Sequence, residues 1–207
     1  MMTKTWMAGL ACGLMTAWVQ AAPMKFDFKD PKGVNTVAFT LDAPLEAISG
    51  SANGISGEVH FDPADPSATK GKIVVEAASM QVPNSAMKDH MHAKDWMDVA
   101  THPTLAFEIV SLGKVEKTGA DTYTAEAKGK MTMKGVTRDV TVPVRLTYLK
   151  DRLGARTNGR MQGDLLVVRA NFEVKRSEFG VNPGAPTDKV ADEVTLTLSL
   201  AGSAPKG

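Results

Sequence analysis

From Tyr123 to Met133 the chain reads YTAEAKGKMTM, with Tyr123, Ala125, Ala127, Gly129, Met131 and Met133 on one side and Thr, Glu and Lys on the other. A period of two marks a strand with one dry face and one wet face, because successive side chains on a pleated strand point in opposite directions. The pattern resumes after the turn-forming pair Lys134-Gly135, where Val140, Val142, Val144, Leu146 and Tyr148 alternate with polar residues and Pro143. It recurs at Phe39 and Leu41, at Ile55, Gly57, Val59 and Phe61, and at Leu105, Phe107 and Ile109. Val168, Ala170, Phe172 and Val174 repeat it, as do Val194, Leu196, Leu198 and Leu200 near the C-terminus. With residues 73–82 added, the reading is an all-β chain of about eight strands.

Strands that are wet on one face belong to an antiparallel sheet, and the Gly, Asp, Asn and Pro between them suit hairpin connections. One helix interrupts the series. Asn84 or Ser85 can act as its N-cap, and SAMKDHMHAKDWMD contains neither Pro nor Gly, so the spacing predicts a short helix over about residues 84–93. A single short helix cannot cover eight strands, so the sheet must close into a barrel or fold over as a sandwich. Alternation turns Phe39, Phe61, Phe107, Met131 and Met133 inward, together with Val142, Val144, Val168 and Phe172. Interleaved with them are the small residues Gly57, Ala125, Ala127, Gly129 and Ala170. An eight-stranded lumen is either just filled by its side chains or able to hold one small ligand. Adaptable Met side chains suit a ligand cavity, and a dry interdigitated core remains the alternative at this point.

The N-terminus has a different composition. Lys4 precedes the uncharged run WMAGLACGLMTAWV, and Val19-Gln20-Ala21 then supplies the small residues of a signal-peptidase site. Residues 1–21 are therefore expected to be a cleavable secretory signal, with a periplasmic mature protein beginning at Ala22 or Pro23 and forming one domain over 22–207. Cys12 sits in mid-run, a poor fit to a lipoprotein signal, so no stable membrane anchor is expected. Its removal leaves no cysteine, and the fold must stand without disulfides. The full chain carries net charge +1, and losing Lys4 brings it to about zero. Without a basic stripe, nucleic acid is a poor partner. Monomer and homodimer are equally open.

The stretch AMKDHMHAKDWMDVATHPTLAFE, residues 86–108, concentrates His and Met. Periplasmic copper proteins use such soft ligands, so a Met/His copper-binding stress protein is the alternative functional reading. On a helix Met87, His90 and Met91 share one face, whereas His92 points away and is expected to be exposed. His102 lies beyond the helix beside Pro103. The set is split, and no metal site is expected. Met87 and Met91 instead read as an apolar face closing the barrel mouth, with Trp96 and Met97 as core or pocket wall. There is no His-Glu-x-x-His, no Gly-x-Ser-x-Gly and no phosphate-binding Gly loop, so no catalytic residue is assigned and the chain is not read as an enzyme. His60 alternates outward, and Arg176 reads as a hydrogen-bonding partner near a turn.

Five segments in order carry a resemblance: ISGEVHFDP (55–63), KDHMHAKDWMDVATHPTLAFE (88–108), GKMTMKGVTRDVTVPV (129–144), KRSEFG (175–180) and VADEVTLTLSL (190–200). Over Phe39 to Ala201 the chain resembles the YceI-like family of bacterial polyisoprenoid-binding proteins. Met91, Trp96-Met97 and His102 depart from the residues usual there. The resemblance implies a lipocalin-like antiparallel barrel whose lumen takes an apolar ligand, a polyprenyl chain or isoprenoid quinone, with no catalytic cofactor. It also implies a structural or headgroup-contacting role for His90. With Met91 and Trp96, His90 joins the inward set as the expected ligand-binding residues.

Overall fold

The computed structural model describes residues 23–206, so the expected signal segment lies outside the described residues. Eleven strand segments form one antiparallel sheet: β1 (Met24–Asp27), β2 (Thr36–Asp42), β3 (Ala47–Ala52), β4 (Ile55–Phe61), β5 (Lys70–Glu76), β6 (Met80–Gln81), β7 (Thr104–Lys117), β8 (Thr122–Met133), β9 (Val136–Leu149), β10 (Gly163–Lys175) and β11 (Glu193–Pro205). They amount to eight staves. β1 and β2 run in the same direction along β11, β3 and β4 pair with them in turn, and β5 and β6 continue on the far side. Pairing of Asp27 with Ser203 closes the ring. This is the closed eight-stranded antiparallel barrel.

Two of the three breaks are bridged by specific groups. Between β1 and β2, the Asp30 carboxylate accepts hydrogen bonds from the backbone N–H groups of Lys32, Val34 and Asn35 at 2.8 to 3.1 Å, which folds the inserted turn. Asn35, 1% exposed, then substitutes for a missing peptide. Its amide donates to the carbonyls of Phe28 and Ala201, and its Oδ1 accepts from Ala201 N at 2.9 Å. At the break between β3 and β4, Ser79 Oγ accepts from Gly54 N. Such repairs matter because an unpaired buried backbone group costs about 1–3 kcal/mol.

The two ends of the barrel differ. At one end lie the β2–β3 turn, the segment 82–103, the β8–β9 hairpin and the long connection 176–192. Helix α1 (Ser85–His92) sits here, started by Asn84, whose side chain accepts from Met87 N at 3.0 Å. The hairpin is the two-residue kind whose central positions both need positive φ: Lys134 has φ +48° and Gly135 +74°. From it Lys134 Nζ donates to the carbonyls of Asp95 and Gly180, tying three of these loops together. At the other end a one-turn helix, α2 (Leu153–Arg156), joins β9 to β10; the sequence reading did not anticipate it. Arg156 bridges from it to Asp30 at 3.0 Å. β9 and β10 pair only from Val144 to Leu149 against Leu165 to Ala170, so their halves near the α1 end splay apart. Among the described residues no helix is long and apolar enough to cross a membrane.

Candidate functional site

The barrel encloses a chamber of about 380 Å³ whose walls come from every stave. Of the residues expected to contact a ligand, Phe39, Phe107, Met131, Met133, Val142, Val144, Val168 and Phe172 line it from the strands. His90, Met91 and Trp96 line it from the α1 end, with Met80, Met87 and Met97 beside them. Phe61 does not. It points inward as alternation requires and is 0% exposed, but it lies below the chamber, packed against Phe26, Tyr123 and Tyr148 with ring centroids 6.1 to 6.4 Å apart. That ring layer seals the end opposite α1.

Why the chamber stays open follows from where the large and small residues meet. Phe39 pairs across the sheet with Gly50, and a Cβ on Gly50 would stand 2.3 Å from the Phe39 ring. Likewise a Cβ on Gly129 would stand 2.6 Å from Phe107. The absent side chains let both rings lie flat against the wall, so large apolar residues line the lumen without filling it. At the sealed end Phe28 lies over Gly202 in the same way.

Polar groups are sparse. Thr69 lies near the sealed end, and its hydroxyl is used by Pro66 O at 2.6 Å. At the mouth are Glu46, His90 and Arg176. Arg176 is 2% exposed, and its guanidinium donates to the carbonyls of Ala191, Val181, Asn182, Ala185 and Val190. The Trp96 ring lies 5.8 Å from it. Arg176 is thus the hub of the 176–192 connection, and its donors are committed. Beside it Asp192 accepts from the backbone N–H and hydroxyl of Ser177. Burial pushes its carboxyl up, but the Ser177 hydrogen bonds and the Arg176 and Lys175 charges outweigh that and hold it below the usual carboxylate range.

The three histidines of the 86–108 stretch diverge. His90 faces the mouth, and the ring of His102 lies against Gly135. His92 is not exposed as expected: it is half-buried, with Nε2 3.0 Å from Met80 O, because the following turn folds back over it. Among the described residues no three His, Cys, Asp or Glu side chains converge on a metal-sized site. His60 is exposed on the outer face, as read. Val37, Ile73, Val75 and Leu105 also line the wall without having been read as ligand contacts: Leu105 lay on a dry face already read, whereas the apolar Ala38 and Val74 between Val37 and Phe39 and between Ile73 and Val75 blurred the parity. Glu46 at the mouth carried no signal.

A closed antiparallel barrel with one sealed end and an apolar chamber reaching the other belongs to the lipocalin-like class. Within that class the chain matches the YceI-like domain over residues 29–201, and it belongs to the YceI-like family. A UPF0312 protein of Pseudomonas paraeruginosa is 29% identical over 210 residues, covering 97% of this chain and 98% of that one. BcnA of Burkholderia cenocepacia superposes with a TM-score of 0.63 at 26% identity, covering 81% of this chain and 95% of that one. A polyisoprenoid binding domain from Saccharophagus degradans, implicated in plant cell wall breakdown, superposes with a TM-score of 0.64 over 88% of this chain and 99% of that one. At 10% identity the latter likeness is one of fold.

Proposed function

We propose that this protein is a periplasmic binding protein that holds the chain of an isoprenoid lipid, a polyprenyl chain or isoprenoid quinone, in the barrel lumen. The observation that carries this reading is the chamber of about 380 Å³ with almost wholly apolar walls. Burying each CH₂-sized unit of such a chain contributes about 0.8 kcal/mol. Ordering the chain offsets part of that gain. The committed donors of Arg176 favour an uncharged headgroup, since a phosphate at the mouth would meet no free guanidinium N–H and would face Glu46. The relative named for polyisoprenoid binding adds support at the level of the fold. The divergence of the histidines speaks against the copper reading.

Met133→Trp tests the reading. In an open chamber the indole occupies space meant for ligand, so lipid recovered by organic extraction and mass spectrometry from the wild type disappears, while the urea midpoint of the lipid-free form hardly moves. In a dry core the same insertion overpacks and costs about 1–3 kcal/mol. A marked drop in midpoint with no lipid in either protein sinks the proposal. Export is checked separately by intact mass, which is expected to place the first residue at Ala22 or Pro23; a retained, lipid-bearing Cys12 overturns it.

A further inference from the structure

We infer that the outer surface of the sealed end docks on an anionic lipid bilayer and holds the barrel with its mouth turned away from the membrane. The inference is independent of what the lumen holds. Three segments meet at this end: the β1–β2 turn (29–34), the β9–β10 connection (150–162) and Lys206. Hydrogen bonds fix them to one another. Lys32 Nζ donates to Arg156 O, Arg156 bridges to Asp30 at 3.0 Å, and Lys206 N donates to Gln162 O at 2.9 Å. The charges are sorted by depth. Asp30 and Asp164, with side chains 5% and 4% exposed, are turned inward and tie these segments together. Lys29, Lys150, Arg152 and Arg160 are exposed, and among the described residues none of them is in an ion pair. Exposed acids border them at Asp27, Asp121 and Asp151, and Asp151 is matched by Lys206, so positive charge prevails.

Two large apolar side chains stand exposed on the same segments, Val34 at 63% and Met161 at 43%. Val34 N donates to the Asp30 carboxylate that Arg156 bridges, and Met161 follows Arg160 on the loop after α2. Cations interleaved with exposed apolar groups fit a bilayer surface: the ammonium and guanidinium groups meet lipid phosphates while the apolar side chains enter the headgroup layer. A soluble polyanion would satisfy the cations and leave Val34 and Met161 in water. The mouth has the opposite character. Leu45 is 65% exposed there, but it lies among Asp42, Glu46 and Asp188 against Lys189, a set that an anionic surface repels. Charge therefore orients the molecule as well as attracting it.

The experiment is co-sedimentation of the chain from Ala22, which contains the whole described fold, with two kinds of vesicle. One is phosphatidylcholine alone, the other phosphatidylcholine and phosphatidylglycerol in equal parts. Binding is expected to the mixed vesicles only, and it should fall as salt is added because the attraction is screened. Each basic residue near such a surface strengthens binding about fivefold. Arg152→Glu/Arg160→Glu should therefore weaken it at least about twentyfold. Val34→Ser/Met161→Ser should weaken it about threefold to tenfold by removing the apolar contact, and Leu45→Ser at the mouth should leave it unchanged. Trp96, at the mouth, is the only tryptophan after residue 21, so its fluorescence reports orientation. With a nitroxide on the lipid headgroups, Trp96 of the bound protein should stay unquenched. Equal binding to both vesicles, binding to neither, binding that survives either double variant, or quenching of Trp96 overturns the inference.

Discussion

At the scale of single residues, Arg176 shows how a buried cation is tolerated when its donors go to backbone carbonyls, with the Asp192 carboxylate acting on it only through its charge. Five carbonyls and one indole face surround the guanidinium, and these carbonyls belong to the loop that Arg176 holds in place. The planar fork of five N–H groups matches that arrangement, which a lysine ammonium with three donors cannot. Arg176→Lys therefore leaves at least two buried carbonyls unsatisfied, at about 1–3 kcal/mol each. The expected result is a fall of about 2–6 kcal/mol in unfolding free energy, with hydrogen exchange accelerated first over 180–191. Unchanged exchange there would remove Arg176 from its organising role. Phe61 shows a second residue-scale point. Alternation told which way it faces, and only the packing told how deep it sits.

At the scale of elements, two pairs of wall strands, β2 with β3 and β7 with β8, set a ring on one strand against a glycine opposite or diagonal on the next. The strand β8 carries this furthest, with Gly129 beneath Phe107 and Ala125 and Ala127 nearer the sealed end. Gly129→Ala places a Cβ 2.4 Å from the carbonyl oxygen of Glu108 and 2.6 Å from the Phe107 ring. The oxygen belongs to the paired backbone and cannot retreat, so the strand must shift and the ring must tilt into the lumen. The substitution is expected to cost about 1–3 kcal/mol by overpacking and to lower capacity for prenyl alcohols. Urea titration, together with displacement of bound N-phenyl-1-naphthylamine by prenyl alcohols, checks both. Stability and capacity both unchanged would mean that the ring does not need that space.

At the scale of the whole molecule, carboxylates that hold loops together set the response to acid. Asp30 and Asp164 are both nearly buried and both lie at the sealed end. For Asp30, burial raises the carboxyl, but the backbone donors of Asn35, Lys32 and Val34 and the Arg156 charge outweigh it, and the net shift is downward. Asp164 is likewise lowered: burial acts upward, while the Asp151 N–H, the Tyr148 hydroxyl and Lys206 prevail. A carboxyl with a folded pKa below its unfolded value contributes stability that is present above the unfolded value and lost as pH falls through the folded one. The urea midpoint should therefore be level from about pH 6 to 8 and fall below about pH 4. Asp164→Asn should flatten part of that acid slope and cost about 1–3 kcal/mol at neutral pH by weakening a charge-assisted network. An acid limb identical in wild type and variant would show that Asp164 does not contribute to it.

The sequence by itself determined the long strands with their dry faces and the place of α1, though not β1 or β3, because alternation and capping are local rules written in neighbouring residues. The helix and the resemblance supplied His90, Met91 and Trp96 at the mouth, and alternation marked eight of the nine strand residues read as ligand-contacting as wall, since face is a matter of parity. Height along the barrel axis is not. It depends on strand tilt and register, and for that reason Phe61 was placed in the chamber when it belongs to the sealed end. His92 was read from the helix alone, and the turn that folds back after Ala93 brings it to Met80 O instead. Whether the mixed set of Phe, Met, Ala and Gly would interdigitate or leave a void was likewise beyond local rules. Pairing across strands decided it: Gly50 falls opposite Phe39, and Gly129 beneath Phe107, so the rings lie along the wall and the lumen stays open.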